Sequence, residues 1–431
     1  SYNDFMENKI PDIISQVNPL KIYHDKSEHH NKYKYEIQIR FKDHMFSKAI
    51  ITENDGSTSE MKPNEARLRN FTYSMPLNIN VEVTTIERYG DDLEKESKSV
   101  QFLPNINIGK IPIMVKSKFC ILSKTNSNQF EDLGECKYDP GGYFIVNGNE
   151  KSIVAQEKIA DNKPYTFKVN KINNKTICMA EIKSVSEKMF SIPKNFSLKL
   201  IRKGNTQLVR ASINNIKQDI PLFILFKALG VESDKSILKY IINDLGPHNN
   251  KIMYCLEDTI NEGKDCITQN DAYEYIMKYV NTYGQPKDIV LAVEKKKGYI
   301  KELLEKDLFP HVGKDIRSKI FYLGYMTNNL LKCHLGFRAF DDRDSYTNKR
   351  IELPGILLAN LFRQYFSKLT KDMRNSVMKE LSVFHNKDDI KNVINTSLIG
   401  VFLNPIIGLL EDLVIQYSHQ KQQNFLIPLF R

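Results

Sequence analysis

The stretch that most restricts the fold is Tyr138-Asp-Pro-Gly-Gly-Tyr-Phe-Ile-Val-Asn-Gly-Asn-Glu-Lys-Ser-Ile-Val-Ala-Gln156. Pro140 fixes φ and the Gly141–Gly142 pair admits positive φ, so the chain must turn there. Tyr143 to Val146 is a short run of aromatic and branched residues suited to a strand. Asn147-Gly148 supplies the two positive-φ residues of a type I′ turn. Ser152 to Ala155 is expected to return as the partner strand. A phosphate cradle is the rival reading of these glycines, but no Gly-Lys-Ser/Thr follows and no helix pattern opens there. The stretch therefore predicts a tight antiparallel hairpin.

Alternation with a period of two surrounds it. Tyr35, Ile37 and Ile39 alternate with Lys34, Glu36, Gln38 and Arg40, and Leu77, Ile79, Val81 and Val83 alternate again, as half-buried strands do. Residues 61–76 read as a polar lead into the second of these strands. Residues 90–99, dense in Asp, Glu and Lys, read as a charged hairpin tip or loop. Before them, Phe5, Ile10, Ile13, Ile14 and Val17 share a helical face, which Pro11 is expected to divide into two short pieces. Strand alternation continues at Tyr165, Phe167 and Val169, at Leu198 and Leu200, and at Val209, Ala211 and Ile213.

Near residue 219 the period changes. Asp219–Gly230 predicts a helix with Pro221 in its first turn and Gly230 past its end. Further helices are expected around 233–245, 250–262, 270–282 and 298–306. Another runs from Asp315 to Leu335, with Ile316, Ile320, Leu323, Met326 and Leu330 on one face. A long one begins at Pro354, striped by Leu357, Leu358, Leu361, Phe362, Tyr365, Phe366, Leu369, Met373, Val377 and Leu381. Strands and helices in separate blocks give an α+β class.

At 431 residues the chain exceeds a usual single core, so two or three domains are expected. With 41% hydrophobic and 26% charged residues it is an ordinary globular composition, not that of a disordered chain. The net charge of +10 suits a polyanion partner, but from charge alone a solubilising lysine-rich surface is the preferred reading. The six cysteines form no Cys-x-x-Cys pair, which argues against a zinc site and for reduced thiols in an intracellular compartment. No apolar run approaches the ~18 residues of a membrane span. The chain opens Ser-Tyr-Asn-Asp, without a signal-peptide core or a start methionine, and so reads as a piece of something longer.

Six stretches in order carry a specific resemblance: 65–76, 108–117, Tyr138–Glu157, 217–230, Phe321–Met326 and Asp341–Arg350. Together they resemble the second-largest subunit of multisubunit DNA-directed RNA polymerases of the eukaryotic, archaeal and giant-virus type. The resemblance implies a mixed strand–helix protrusion domain beginning at 1–160. An inserted α+β lobe would follow at 165–335, and a return to the protrusion at 336–399. Residues 400–431 do not resemble the family's continuation and are set apart as a divergent tail; the chain also has no Trp. The family's catalytic lysines lie in parts this chain does not include, so no catalytic residue is carried over.

What the resemblance implies for function follows the same line. The chain would form a wall of the DNA cleft, with the largest subunit, the other polymerase subunits and the DNA template as partners. It would bind no cofactor itself, the Mg²⁺ of the assembled enzyme being held by the largest subunit. The compartment would be intracellular, the nucleus or a cytoplasmic viral factory or virion; the Lys-, Asn- and Ile-rich composition suits an AT-rich genome, and the divergence from the family suits a large cytoplasmic DNA virus. The alternative is a stand-alone, truncated, non-enzymatic fragment that binds DNA or polymerase.

The candidate nucleic-acid-binding residues are Arg343, Lys349 and Arg350, cations suited to phosphate contact. The rival reading pairs them with the neighbouring aspartates. Asp341, Asp342 and Asp344 are carboxylates of a kind that binds hard cations, but an ion-pair and capping network is the simpler reading. Lys295–Lys297 reads as a solvated face, and Arg67 and Arg69 read as stems packed at a strand entry. No nucleophile and base stand at a catalytic spacing.

Overall fold

The computed structural model describes residues 1–26, 33–89, 94–126, 129–169, 175–186, 190–242, 249–280 and 289–383. The tail from 400, and the end of the expected protrusion return, lie outside the described residues. Strands and helices both occur, in antiparallel sheets, so the class is α+β. The chain forms two compact units. The first takes Ser1–Gln156 and the described residues from Ile351 on, and the second takes Glu157–Arg350.

The first unit opens with helix α1 (Tyr2–Asp4), a π turn at Phe5–Lys9, and α2 (Ile10–Val17). Pro11 does not divide this run as expected. A proline lacks the N–H of its turn and crowds the carbonyl four residues back, and the wider π turn just before it relieves that crowding. Phe5, Met6, Ile10, Ile13 and Ile14 therefore stay on one buried stripe.

An antiparallel sheet follows in the order β1–β2–β5–β6. Here β1 is Leu20–Lys26, β2 Tyr33–Phe46, β5 Ser74–Tyr89 and β6 Lys95–Pro112. A small hairpin of β3 (Ile50–Thr52) and β4 (Thr58–Glu60) and helix α3 (Pro63–Leu68) lie between β2 and β5. The apolar set of the predicted alternation is buried: Ile37, Ile39, Leu77, Ile79, Val81 and Val83 are each at most 2% exposed, whereas Glu36, expected on the solvent side, is buried too at 6%, where Arg88 pairs with it at 2.7 Å. Residues 95–99 are not loop. Tyr89 pairs with Lys95 and Thr85 with Ser99, so the ladder continues through the charged segment. Both faces of that extension meet solvent, which removes any penalty for its charges.

Helix α3 was missed. It has no apolar stripe, but Pro63 at its first position was a start signal. The long α10 (Pro354–Val383) lays its stripe on this unit's core, Phe362 against Phe5 with ring centres 6.4 Å apart and Phe366 against Phe41 at 5.4 Å.

The opening hairpin is β7 (Phe144–Val146) and β8 (Asn149–Lys151). Asn147 and Gly148 have φ of 48° and 76°, as a type I′ turn requires. The returning strand is Asn149–Lys151, not Ser152–Ala155. A two-residue turn pairs Val146 directly with Asn149, so the partner begins at once. Gly148 has a second reason to be glycine: a Cβ there would lie 2.5 Å from Asn70 Oδ1 and 3.1 Å from the Arg67 carbonyl.

From the unit boundary at β9 (Gln156–Ile159) the chain enters the second unit, a five-stranded antiparallel sheet of consecutive strands. These are β10 (Tyr165–Lys168), β11 (Thr176–Ser184), β12 (Lys194–Lys203), β13 (Thr206–Ile213) and β14 (Ile220–Pro221). Helices α4 (Leu222–Ala228), α5 (Asp234–Ile241), α6 (Asn249–Glu262), α7 (Gln269–Met277), α8 (Ile289–Glu302) and α9 (Ile316–His334) follow, and β15 (Lys349–Glu352) pairs with β9. Sheet residues such as Leu198, Leu200, Val209 and Ala211 share one core with Phe223, Phe226, Leu323 and Met326. Ile316, expected on the buried face of α9, is 42% exposed because it opens the first turn; Ile320 is the first buried residue of that stripe. Gly324 lets α5 and α9 touch, since a Cβ there would lie 2.2 Å from the Tyr240 carbonyl oxygen. All six cysteines are free thiols.

Candidate nucleic-acid interface

The loop after α9 is built by its aspartates. Asp341 donates its N–H to the Thr166 carbonyl at 3.0 Å and accepts the Thr166 N–H at 2.8 Å through Oδ2. It therefore closes the free edge of β10 as a partner strand would. Its Oδ1 pairs with Arg338 at 3.1 Å. Asp342 Oδ1 accepts the Asp344 N–H at 2.9 Å, and the Asp342 carbonyl accepts from Asn348 Nδ2 at 2.7 Å. Buried Asn348 also accepts from Lys163 at 2.6 Å, and its carbonyl accepts the Ala160 N–H at 2.8 Å. These bonds fix the turn that carries the cations. Among the described residues no three His, Cys, Asp or Glu side chains converge as metal ligands.

With Asp341 and Asp342 serving the backbone, two of the three candidate cations find carboxylates elsewhere. Arg343 pairs with Glu181 at 3.0 Å and lies 4.0 Å over the Phe167 ring. Lys349 pairs with Glu157 at 2.9 Å, a hydrogen bond that raises its pKa. Arg350 is exposed and donates only to main-chain carbonyls, to Lys349 at 2.7 Å and Thr347 at 3.4 Å. Among the described residues no carboxylate lies within ion-pair distance of it. The three cations thus sit on one pinned segment, and among the described residues Arg350 alone of the three lacks a counter-charge. Lys295–Lys297 lies in α8, Lys295 exposed and the other two half-buried.

A second constellation, in the first unit, was missed by reading Arg67 as a packed stem. Arg67 donates to Glu135 at 2.6 Å, Glu150 at 2.7 Å and the Tyr143 hydroxyl at 2.8 Å. Tyr143 donates to Asp139 at 2.5 Å, and the other Asp139 oxygen accepts the Gly141 N–H at 2.9 Å. Burial alone would raise the Asp139 carboxyl. The hydrogen bonds from Tyr143 and Gly141 and the charges of Lys116 and Arg67 outweigh it and hold the pKa below its ordinary value. Val115 donates its N–H to the Tyr143 carbonyl at 2.8 Å, and Tyr73 donates to the Ile145 carbonyl at 3.0 Å. Three of the resembling stretches are therefore each other's binding partners. Arg69 is likewise occupied, by Glu53 at 2.5 Å and Glu65 at 3.2 Å.

A family model described as RNA polymerase beta subunit matches residues 1–400. DNA-directed RNA polymerase II subunit 2 of Arabidopsis thaliana is 36% identical over 393 residues, covering 88% of this chain and 32% of the relative. Subunit RPB2 of the same enzyme in Encephalitozoon cuniculi is 38% identical over 384 residues, again covering 88% of this chain and 32% of the relative. The archaeal subunit Rpo2N of Methanococcus vannielii is 36% identical over 392 residues, covering 90% of this chain and 72% of the relative. The chain thus spans about a third of the eukaryotic relatives. Among the described residues no helix is long and apolar enough to cross a membrane. The chain belongs to the RNA polymerase beta subunit family, and it corresponds to the N-terminal part of the second-largest subunit.

Proposed function

We propose that this chain forms one wall of the DNA cleft in an assembled DNA-directed RNA polymerase. The first unit would be the protrusion and the second the lobe. The observation that carries the reading is the family match over residues 1–400, joined to a chain that leaves one compact unit at 156 and returns to it at 351. Arg350, with Arg343 and Lys349 beside it, would meet DNA phosphates, positioning the duplex without reading its sequence. Phosphoryl transfer needs metal ions and a positioned nucleophile. Mg²⁺ held by the largest subunit would supply the former, and RNA chain elongation is the work of the complex. The partners are the largest subunit, the other polymerase subunits and template DNA, inside the cell, in the nucleus or a cytoplasmic viral factory. The test is RNA synthesis from nucleoside triphosphates on a DNA template. The purified chain alone should be inactive, and template-dependent product from it would overturn the assignment.

A further inference from the structure

Lys163 is exposed and stands on the loop that leads into β10. Its ammonium donates to Asn348 Oδ1 at 2.6 Å and lies 5.6 Å from the centre of the Tyr165 ring. Among the described residues no carboxylate is within ion-pair distance of it. Asn348 is itself only 5% exposed and is fixed by further bonds. It donates Nδ2 to the Asp342 carbonyl at 2.7 Å and its N–H to the Ser345 carbonyl at 3.0 Å, and its own carbonyl accepts the Ala160 N–H at 2.8 Å. Arg350 donates to the carbonyls of Thr347 and Lys349, the residues on either side of Asn348. One buried residue therefore fastens Lys163 through its side chain and Arg350 through the flanking main chain. The two cations also share Tyr165 as a neighbour: burial raises that hydroxyl's pKa, and the charge of Arg350 works against the rise.

The other charges of this cluster are accounted for one by one. Asp161 pairs with Lys158 at 2.8 Å, Asp341 with Arg338, Glu157 with Lys349 and Glu181 with Arg343. Asp342 and Asp344 hold no cation. Asp342 Oδ1 accepts the Asp344 N–H, and among the described residues neither carboxylate is within ion-pair distance of Lys163 or Arg350. The charges named here balance, so no general surplus draws an anion to the turn. What sets Lys163 and Arg350 apart is local: each keeps its whole charge, and each is held on the same rigid mount. A cation already ordered in this way loses less side-chain freedom on meeting an anion than a mobile surface lysine does.

We infer that Lys163 is a fourth cation of the nucleic-acid interface, a phosphate contact held beside Arg350 by Asn348. Lysine meets phosphate as a point charge and arginine as a fork of donors, so the pair serves the backbone and reads no base. Asn348 is a positioning residue and touches no phosphate. The inference rests on the reading that this loop meets DNA.

The test is DNA binding by the assembled enzyme across a salt series, for Lys163→Gln, Lys163→Arg and Arg350→Ala. Glutamine keeps an N–H for Asn348 and drops the charge. Lys163→Gln should therefore keep the melting temperature and lower the slope of log K against log salt by about 0.9, equally for all sequences. Lys163→Arg keeps the charge and should keep the slope. A slope that falls for Arg350→Ala but not for Lys163→Gln overturns the inference and leaves the loop at the DNA. A slope that Lys163→Arg lowers as far as Lys163→Gln also overturns it, since Lys163 would then only fasten the turn. Slopes unchanged in every variant overturn the reading of the loop itself, and the inference with it.

Discussion

Replacing Arg67 with methionine tests whether the three bonded stretches of the first unit are held by charge or by packing. Arg67 and Glu135 have side chains only 20% and 4% exposed, so their pair is largely out of water. Removing the guanidinium leaves the Glu135 carboxylate buried without its cation, a loss of about 3–5 kcal/mol in such sites. Methionine keeps most of the stem's volume, so packing contributes little to that figure. Adding Glu135→Gln removes the stranded charge and should restore about 2 kcal/mol, a coupling that a double-mutant cycle isolates. Native-state hydrogen exchange of the β7 and β8 amides reads the first unit apart from the second. A loss below about 1 kcal/mol, or additive single variants, would mean that the network is a bystander.

Three further outcomes follow from the geometry. Lys319 is fully buried, donating to the Leu304 and Glu305 carbonyls at 3.0 and 2.6 Å, and burial pulls its pKa from 10.5 to about 8 against the opposing charges of Glu305 and Asp307. The unfolded chain then binds more protons across that window, so stability rises with pH through it. The cost of Lys319→Met should accordingly grow by about 2 kcal/mol from pH ~7 to ~9.5 in urea titrations; a cost independent of pH refutes the burial argument. Gly324→Ala should destabilise the second unit by about 3 kcal/mol, because backbone, not a movable side chain, fills the space, and exchange of α5 amides reports it. Arg350→Ala should lower the salt dependence of DNA binding by the assembled enzyme by about one phosphate contact, equally for all sequences; an unchanged slope removes Arg350 from the interface.

What the sequence made legible was whatever one element decides alone. The Val81–Val83 strand shows its buried face by alternation, and the α10 stripe by helical spacing, since each lies on a single core. Asn147-Gly148 fixed a turn because few residue pairs tolerate that backbone. What stayed hidden was set at a distance. The Arg67 partners lie 68 and 83 residues away, and the Arg343 partner 162 residues away. Neighbouring aspartates looked like the counter-charges of Arg343 and Lys349, but Asp341 and Asp342 each give an oxygen to a main-chain N–H, and the nearest carboxylates to the two cations are Glu181 and Glu157. Helix α3 escaped notice because six residues without an apolar stripe leave only a proline as a signal. The return strand was placed too late because the turn length was not carried through to the register.

The assignment to a polymerase wall rests finally on association. The chain should be tagged in its source cells, recovered at moderate salt, and its companions quantified by mass spectrometry. The largest polymerase subunit should be recovered in equimolar amount, together with other polymerase subunits. Recovery of the chain without any polymerase subunit would contradict it.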